Sequence, residues 1–194
     1  MEDDMYMLRK SLFIFLFLII GVFCTENIYS MGFHDGYSGS KNTLEEFERR
    51  YNEILNNGQN ISEHFYGSYA SSQYTLAQFR QRYNEILNNG SNISEYFYGN
   101  YAGSQNSLQQ FIQRYNEIIS NGKDIYEMFY GKYAASQNSL QEFKKRYNEI
   151  INNSNGIPEI FYGSYAASQY SLQEFRQRFN EIMNNGKNIY EYFY

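Results

Sequence analysis

The chain has 194 residues, with 22 Tyr, 16 Phe, no Trp, one Pro and one Cys, and a formal net charge of -5. The charge is mild, its signs are interspersed and no basic patch exists, which excludes a nucleic-acid partner. Tyr and Phe supply enough apolar area for a continuous core, which excludes wholesale disorder.

In chain order, the first feature is the apolar stretch SLFIFLFLIIGVF (residues 11–23), preceded by Arg9 and Lys10. It is too short to span a bilayer comfortably, where about 20 residues are needed. A basic flank, a short apolar run and Val22 and Cys24 at the cleavage-site positions describe a secretory signal peptide, residues 1–24. A signal anchor in the membrane is the alternative reading. Cleavage there leaves no cysteine, so a secreted chain would hold together by its core alone. Residues 25–34 then read as a short linker. Sequons at Asn60, Asn89, Asn92 and Asn152 are compatible with N-glycosylation on that route.

From Asp35 onward one phrase recurs: Ser or Thr, then L-x-x-F-x-x-R-[YF]-N-E-I. Leu44, Leu76, Leu108, Leu140 and Leu172 follow one another at a step of 32 residues without insertion. Such a period predicts stacked repeats, here 35–66, 67–98, 99–130, 131–162 and 163–194.

Each unit opens on a small-residue stretch such as GSYAASQY (Gly163 to Tyr170), a loop or helix end. Its composition is also that of a strand or low-complexity segment. Thr43, Thr75, Ser107, Ser139 and Ser171 follow as N-caps, each with Glu or Gln three residues on (Glu46, Gln78, Gln110, Glu142, Glu174). That is a capping box in every copy. In the helix it starts, Leu140, Phe143, Tyr147, Ile150 and Ile151 form one apolar stripe, and Glu142 and Arg146 stand as an i,i+4 ion pair. Asn-Asn-Gly, as at Asn56 to Gly58, predicts a left-handed stop. A second helix is expected to begin at the N-caps Asn60, Asn92, Asp124 and Asn188, with Pro158 tolerated in its first turn. Gly131 in its middle predicts a kink or an end. The fold class is therefore all-α: tandem helix-turn-helix repeats, packed as a solenoid-like array or a helical bundle.

Arg50, Arg82, Arg114, Arg146 and Arg178 recur in every copy, as do Asn57, Asn89, Asn121, Asn153 and Asn185. One reading is structural, with Arg pairing to a Glu or to the second helix. The other is a ladder of polar groups for a repetitive partner, as solenoids provide. The Tyr stripe carries the same two readings, core or contact surface. Tyr190 to Tyr194 leave aromatics on the last unit with nothing after them, which points to self-association.

Catalysis finds little foothold. His34 and His64 are the only histidines, Asp35 and Asp124 the only aspartates beyond the signal segment, and no cluster has metal-ligand spacing. The chain reads as a non-enzyme with no cofactor and no metal.

The repeated helix resembles the inhibitor prodomain of papain-like cysteine proteases, whose signature is E-x3-R-x3-F-x2-N-x3-I-x3-N. Glu174, Arg178, Asn185 and Ile189 match it, with Ile182 in place of Phe. So do Glu142, Arg146, Ile150, Asn153 and Ile157, and Glu46, Arg50, Ile54, Asn57 and Ile61. Gln78 and Gln110 open the middle copies, Phe161 and Phe193 stand where the last Asn belongs, and the strand that enters the protease cleft is missing. The resemblance implies a non-covalent binder of a papain-like cysteine protease. The residues by themselves imply a secreted, non-catalytic binding protein, the alternative being a Tyr-rich structural, adhesive or host-interaction repeat protein.

Overall fold

In a computed structural model of the chain, residues 36–185 are described. The expected signal peptide, the linker and residues 186–194 lie outside the described residues. The chain divides into two units, Met1–Met31 and Gly32–Tyr194, and the structure below belongs to the second.

The description begins in a helical turn, α1 (residues 36–39), after which long and short helices alternate. The long helices are α2 (Leu44–Asn57), α4 (Leu76–Asn89), α6 (Leu108–Asn121), α8 (Leu140–Asn153) and α10 (Leu172–Asn185). The short ones are α3 (Tyr66–Ser71), α5 (Tyr98–Gly103), α7 (Tyr130–Ala135) and α9 (Tyr162–Ala167), each entered through a 3₁₀ turn that starts at Glu63, Glu95, Glu127 or Glu159. Among the described residues there is no strand, and the protein is an all-α repeat array.

The long helices start as their sequences predict. The hydroxyls of Thr43, Thr75, Ser107, Ser139 and Ser171 each accept the amide three residues on. The reciprocal bond forms at Gln78, Gln110 and Glu174. Glu46 and Glu142 lean instead toward Arg49 at 3.7 Å and Lys145 at 3.8 Å, so the first and fourth caps are one-sided. Arg146 points inward, away from the expected Glu142 pair, and bonds to backbone carbonyls. Phe143, Tyr147 and Ile150 are buried as predicted, Leu140 is half-buried, and Ile151 faces solvent.

Three expectations are corrected. The second helix does not begin at Asn60, Asn92 or Asp124. Its 3₁₀ turn is preceded by Ser62, Ser94, Tyr126 and Pro158, none with a capping side chain. Asn60 itself has φ 69°, a left-handed turn residue that Asn tolerates. The Gly after α2, α4 and α6 is not left-handed either, with φ of -81°, -93° and -100° at Gly58, Gly90 and Gly122, whereas Asn155 and Gly156 after α8 are, with φ of 44° and 90°. A Cβ at Gly58, Gly90 or Gly122 would meet the carbonyl oxygen of Ile54, Ile86 or Ile118 at 2.3 to 2.6 Å, so the requirement is space. Gly131, finally, lies inside α7 rather than at its break, and Gly99, Gly131 and Gly163 are where the preceding unit's Phe packs. A Cβ at Gly131 would lie 2.3 Å from Phe97 Cδ1.

α2, α4, α6 and α8 each pack on the short helix that follows, and neighbouring short helices pack on one another, α3 on α5, α5 on α7, α7 on α9. Tyr–Phe ring contacts carry the core from unit to unit. Tyr69 meets Phe79, Tyr101 meets Phe111, Tyr133 meets Phe143 and Tyr165 meets Phe175, all edge-on with centroids 5.4 to 5.5 Å apart. These separations fall in the favourable range for edge-to-face pairs.

The array closes on itself. Tyr37 meets Phe47 edge-on at 5.5 Å, so α1 occupies the position of a short helix preceding α2. Its other side packs on α9: a Cβ on Gly39 would lie 3.2 Å from the Ser164 carbonyl, as one on Gly103 would lie 2.9 Å from that of Ser68. α1 thereby completes α10, and Ile182 of α10 shares one core cluster with Tyr37 and Phe47. Five long and five short helices form a ring whose seam joins residues 36–42 to α10. The packing units consequently run from one N-cap to the next, 43–74 onward, and the fifth is assembled from both ends of the described segment.

Candidate functional site

The recurrent polar residues converge inside this ring. The short helices end at a bend whose carbonyls gather on one side, and one Arg from each long helix fills that bend. Arg50 donates from Nη2 to the carbonyl of Tyr69 at 3.0 Å and to the Ser72 hydroxyl at 3.0 Å, and from Nε to the carbonyl of Ala70 at 3.3 Å. Arg82 repeats the pattern on Tyr101, Ala102 and Asn106, Arg114 on Tyr133 and Asn138, and Arg146 on Tyr165 and Tyr170. Arg178 finds its acceptors across the seam, the carbonyls of Tyr37 at 3.2 Å and Asn42 at 2.7 Å. A guanidinium fork suits several carbonyls at once, and a cation at a helix C-terminus is favourable. Each fork also lies 4.2 to 4.3 Å above a Tyr ring: Arg50 over Tyr69, Arg82 over Tyr101, Arg114 over Tyr133, Arg146 over Tyr165 and Arg178 over Tyr37.

The same Tyr donates its hydroxyl back to the long helix. Tyr69 bonds Glu53, Tyr101 bonds Glu85, Tyr133 bonds Glu117, Tyr165 bonds Glu149 and Tyr37 bonds Glu181. Burial, then the hydrogen bond to Glu, holds each of these phenols well above its ordinary range. Neighbouring bends are tied by one more bond. Asn42, Asn106 and Asn138 donate Nδ2 to Ser72, Ser136 and Ser168 carbonyls. At the seam the Tyr170 hydroxyl donates to the equivalent Ser40 carbonyl at 2.8 Å.

The forks of the Arg ladder are thus engaged with carbonyls and hydroxyls at the bends. The Asn ladder lies at the exposed C-terminal ends of the long helices, where Asn57, Asn89, Asn121 and Asn153 donate to the carbonyl four residues back. Their own carbonyls accept from the next unit: Asn57 from Arg80 at 2.6 Å, Asn121 from Lys144 at 2.6 Å and Asn153 from Arg176 at 2.8 Å. Asn185 ends α10 and is exposed. Among the residues that carry the prodomain resemblance, Ile54, Ile150 and Ile182 are fully buried and Ile61 and Ile157 nearly so, while Glu46, Glu174, Asn57, Asn153 and Asn185 are exposed.

The sequon asparagines Asn60, Asn89, Asn92 and Asn152 are all exposed. Asn89 and Asn152 hold their Nδ2 on carbonyls of their own helix. Among the described residues no group of three or more His, Cys, Asp or Glu side chains is placed to hold a metal ion. No described helix is long and apolar enough to cross a membrane.

What faces outward is apolar in a regular way. Leu87, Ile119, Ile151 and Met183 hold one repeat position and are 46 to 52 % exposed, with Leu55, half-buried, the fifth of the set. A second repeat position carries Tyr96, 84 % exposed, and Met128, with exposed His64 and half-buried Ile160 as its equivalents. In a closed array equivalent positions lie on a circle, so these side chains form a ring of apolar points on one surface. Sequence reasoning placed Ile151 in the core stripe and missed this ring; the signal was an aliphatic residue recurring next to Ile54 and its equivalents in every copy. No known protein family, no curated protein and no solved structure matches this chain.

Proposed function

We propose that the protein is a secreted, non-catalytic binding ring that holds a protein partner on its circle of exposed apolar residues. The observation that carries this reading is the contrast between the two recurrent sets. The Arg, Tyr and Glu that repeat in every unit are hydrogen-bonded to one another and to backbone carbonyls. The aliphatic position repeated beside them remains open to solvent. Apolar side chains arranged around a surface are the usual mark of a protein interaction site. Support for the secretory route comes from the apolar segment 11–23 and its basic flank.

A papain-like cysteine protease is the partner class that the prodomain resemblance suggests, and the spacing of Glu, Arg, Asn and Ile in three copies supports it. Within the matched motif Arg50 and Ile54 are buried while Glu46 and Asn57 are exposed, and that partner rests on the resemblance. Both levels are tested with the wild-type protein and a variant carrying Leu87→Glu, Ile119→Glu, Ile151→Glu and Met183→Glu. Immobilised wild type is expected to retain a discrete extracellular protein that the equally folded variant loses. Identical retention by both overturns the binding surface. Inhibition of a papain-like protease at nanomolar to micromolar concentration, abolished by the same substitutions, would identify the partner; an unaffected protease removes it.

A further inference from the structure

The ring has five chemically equivalent joints, and at one of them no covalent connection backs the contact. At the seam, residues 36–42 dock on α10 through the Tyr37–Glu181 hydrogen bond, the Arg178 bonds to the Tyr37 and Asn42 carbonyls, and the Tyr170 bond to the Ser40 carbonyl. The Tyr37 and Arg178 bonds have counterparts inside the chain, such as Tyr101–Glu85 and Arg82–Asn106, and the Tyr170 bond stands where Asn106 and Asn138 bond elsewhere. A further tie is altered there. Arg80, Lys144 and Arg176 bind the last carbonyl of the preceding long helix, whereas Glu48 holds that repeat position at the seam and Ile112 holds it on α6. Burial, then the neighbouring Glu45, raises the Glu48 carboxyl above the usual range, so its charge is not welcomed in that joint.

We propose that the seam is an exchangeable interface: the 36–42 segment of a second copy docks on α10 in place of the chain's own, joining two chains into one larger closed array. The partner is a second copy because α10 presents a preformed site for the sequence Tyr37-x-x-Ser40-x-Asn42, and because a cis contact made only of non-covalent bonds is replaced in trans by identical ones. Exchange of identical elements between protomers adds contacts without inventing a new surface. The cis segment competes intramolecularly, so exchange favours concentrated protein or a warmed sample in which the seam opens. This inference is independent of the apolar ring and its partner.

The test uses the full chain in a Cys24→Ser background. An ideal Cβ on Gly39 lies 3.5 Å from Ser164 Cβ, within the range for a disulfide. The double variant Gly39→Cys/Ser164→Cys, oxidised with glutathione disulfide, is expected to give a cross-linked monomer, which establishes that the seam tolerates the pair. Gly39→Cys and Ser164→Cys single variants are then mixed at several hundred micromolar, warmed, cooled and oxidised. A peptide linking residues 39 and 164 can then arise only between chains. Its yield is expected to rise about tenfold for a tenfold rise in protein concentration in the dilute limit, by mass action. Formation of the cis disulfide in the double variant with no 39–164 peptide from the mixture overturns the proposal, and so does a double variant that fails to cross-link.

Discussion

The hydroxyl of Tyr37 donates to the carboxylate of Glu181, although 144 positions separate the two residues. Its counterparts, Tyr69 with Glu53 and Tyr101 with Glu85, join residues 16 positions apart. A single repeated bond is thus used locally four times and once to close the chain on itself. The closure covers α10, which an open array would leave with an uncovered inner face.

The Arg forks are predicted to act on stability. Arg114→Ala removes bonds to Tyr133, Ser136 and Asn138 and the ring contact with Tyr133. A loss of about 2–4 kcal/mol is expected, which for a chain of this size lowers the melting temperature by roughly 5–15 °C. Arg114→Lys should recover little, because an ammonium point charge cannot span the same acceptors. Thermal unfolding followed by circular dichroism checks both, and a change below about 0.5 kcal/mol would mean the fork is a surface group after all.

Gly131→Ala sets two effects against each other. Helix propensity favours Ala by about 1 kcal/mol. The added Cβ, 2.3 Å from Phe97 Cδ1, forces the ring of the preceding unit to move, which costs about 1–3 kcal/mol. Net destabilisation is expected, relieved in part by Phe97→Leu. A stabilised Gly131→Ala in denaturant melts would contradict the packing.

Alkaline pH should unfold the protein cooperatively. Folded phenols such as Tyr69 and Tyr133 are held above their ordinary value of 10.0 by burial and by their Glu partners. The unfolded chain releases these protons near pH 10 while the folded ring keeps them. The stability they supply is intact below that pH and falls as the pH rises further. Ultraviolet absorbance of tyrosinate and helical circular dichroism should change together at about pH 11–12. Smooth ionisation near pH 10 with helicity retained would contradict the buried ladder.

Glu48→Arg restores at the seam the residue type of Arg80 and Arg176. Stabilisation by about 0.5–1 kcal/mol is expected at neutral pH, from a cation facing a helix end and from removal of a disfavoured carboxylate. Because the Glu48 carboxyl is raised, the penalty of its charge is present above its folded-state value and is relieved as the pH falls through it. The gain from removing that charge should therefore shrink toward pH 4–5, a range set by the ordinary carboxylate value. A gain independent of pH would show that Glu48 carries no such penalty.

Much of this architecture is legible in sequence where the governing interactions are local. Thr75 with Gln78 and Ser107 with Gln110 satisfy one another within four residues, and their helices start as read. Features set by partners elsewhere are harder to read. Ile151 belongs to the apolar stripe by period, yet the short helix covers only one flank of α8 and leaves it outside. Gly58 after α2 looks like a left-handed stop, but its cause is the approach of the Ile54 carbonyl and side chain. Asn60 before Ile61 imitates an N-cap while serving as a left-handed turn. The ring was written in the phase of the Tyr-x-x-Ser stretch. It precedes the first long helix as Tyr37 to Ser40, and it packs backward onto a long helix in every unit, the first copy on α10.

The central claim, closure of five units into a ring, is tested most directly by a double-mutant cycle between Tyr37→Phe and Glu181→Gln. Closure predicts a coupling energy of about 0.5–3 kcal/mol, matching that of the internal pair Tyr101→Phe and Glu85→Gln. Additive effects for Tyr37 and Glu181, alongside clear coupling for Tyr101 and Glu85, would show that the array is open.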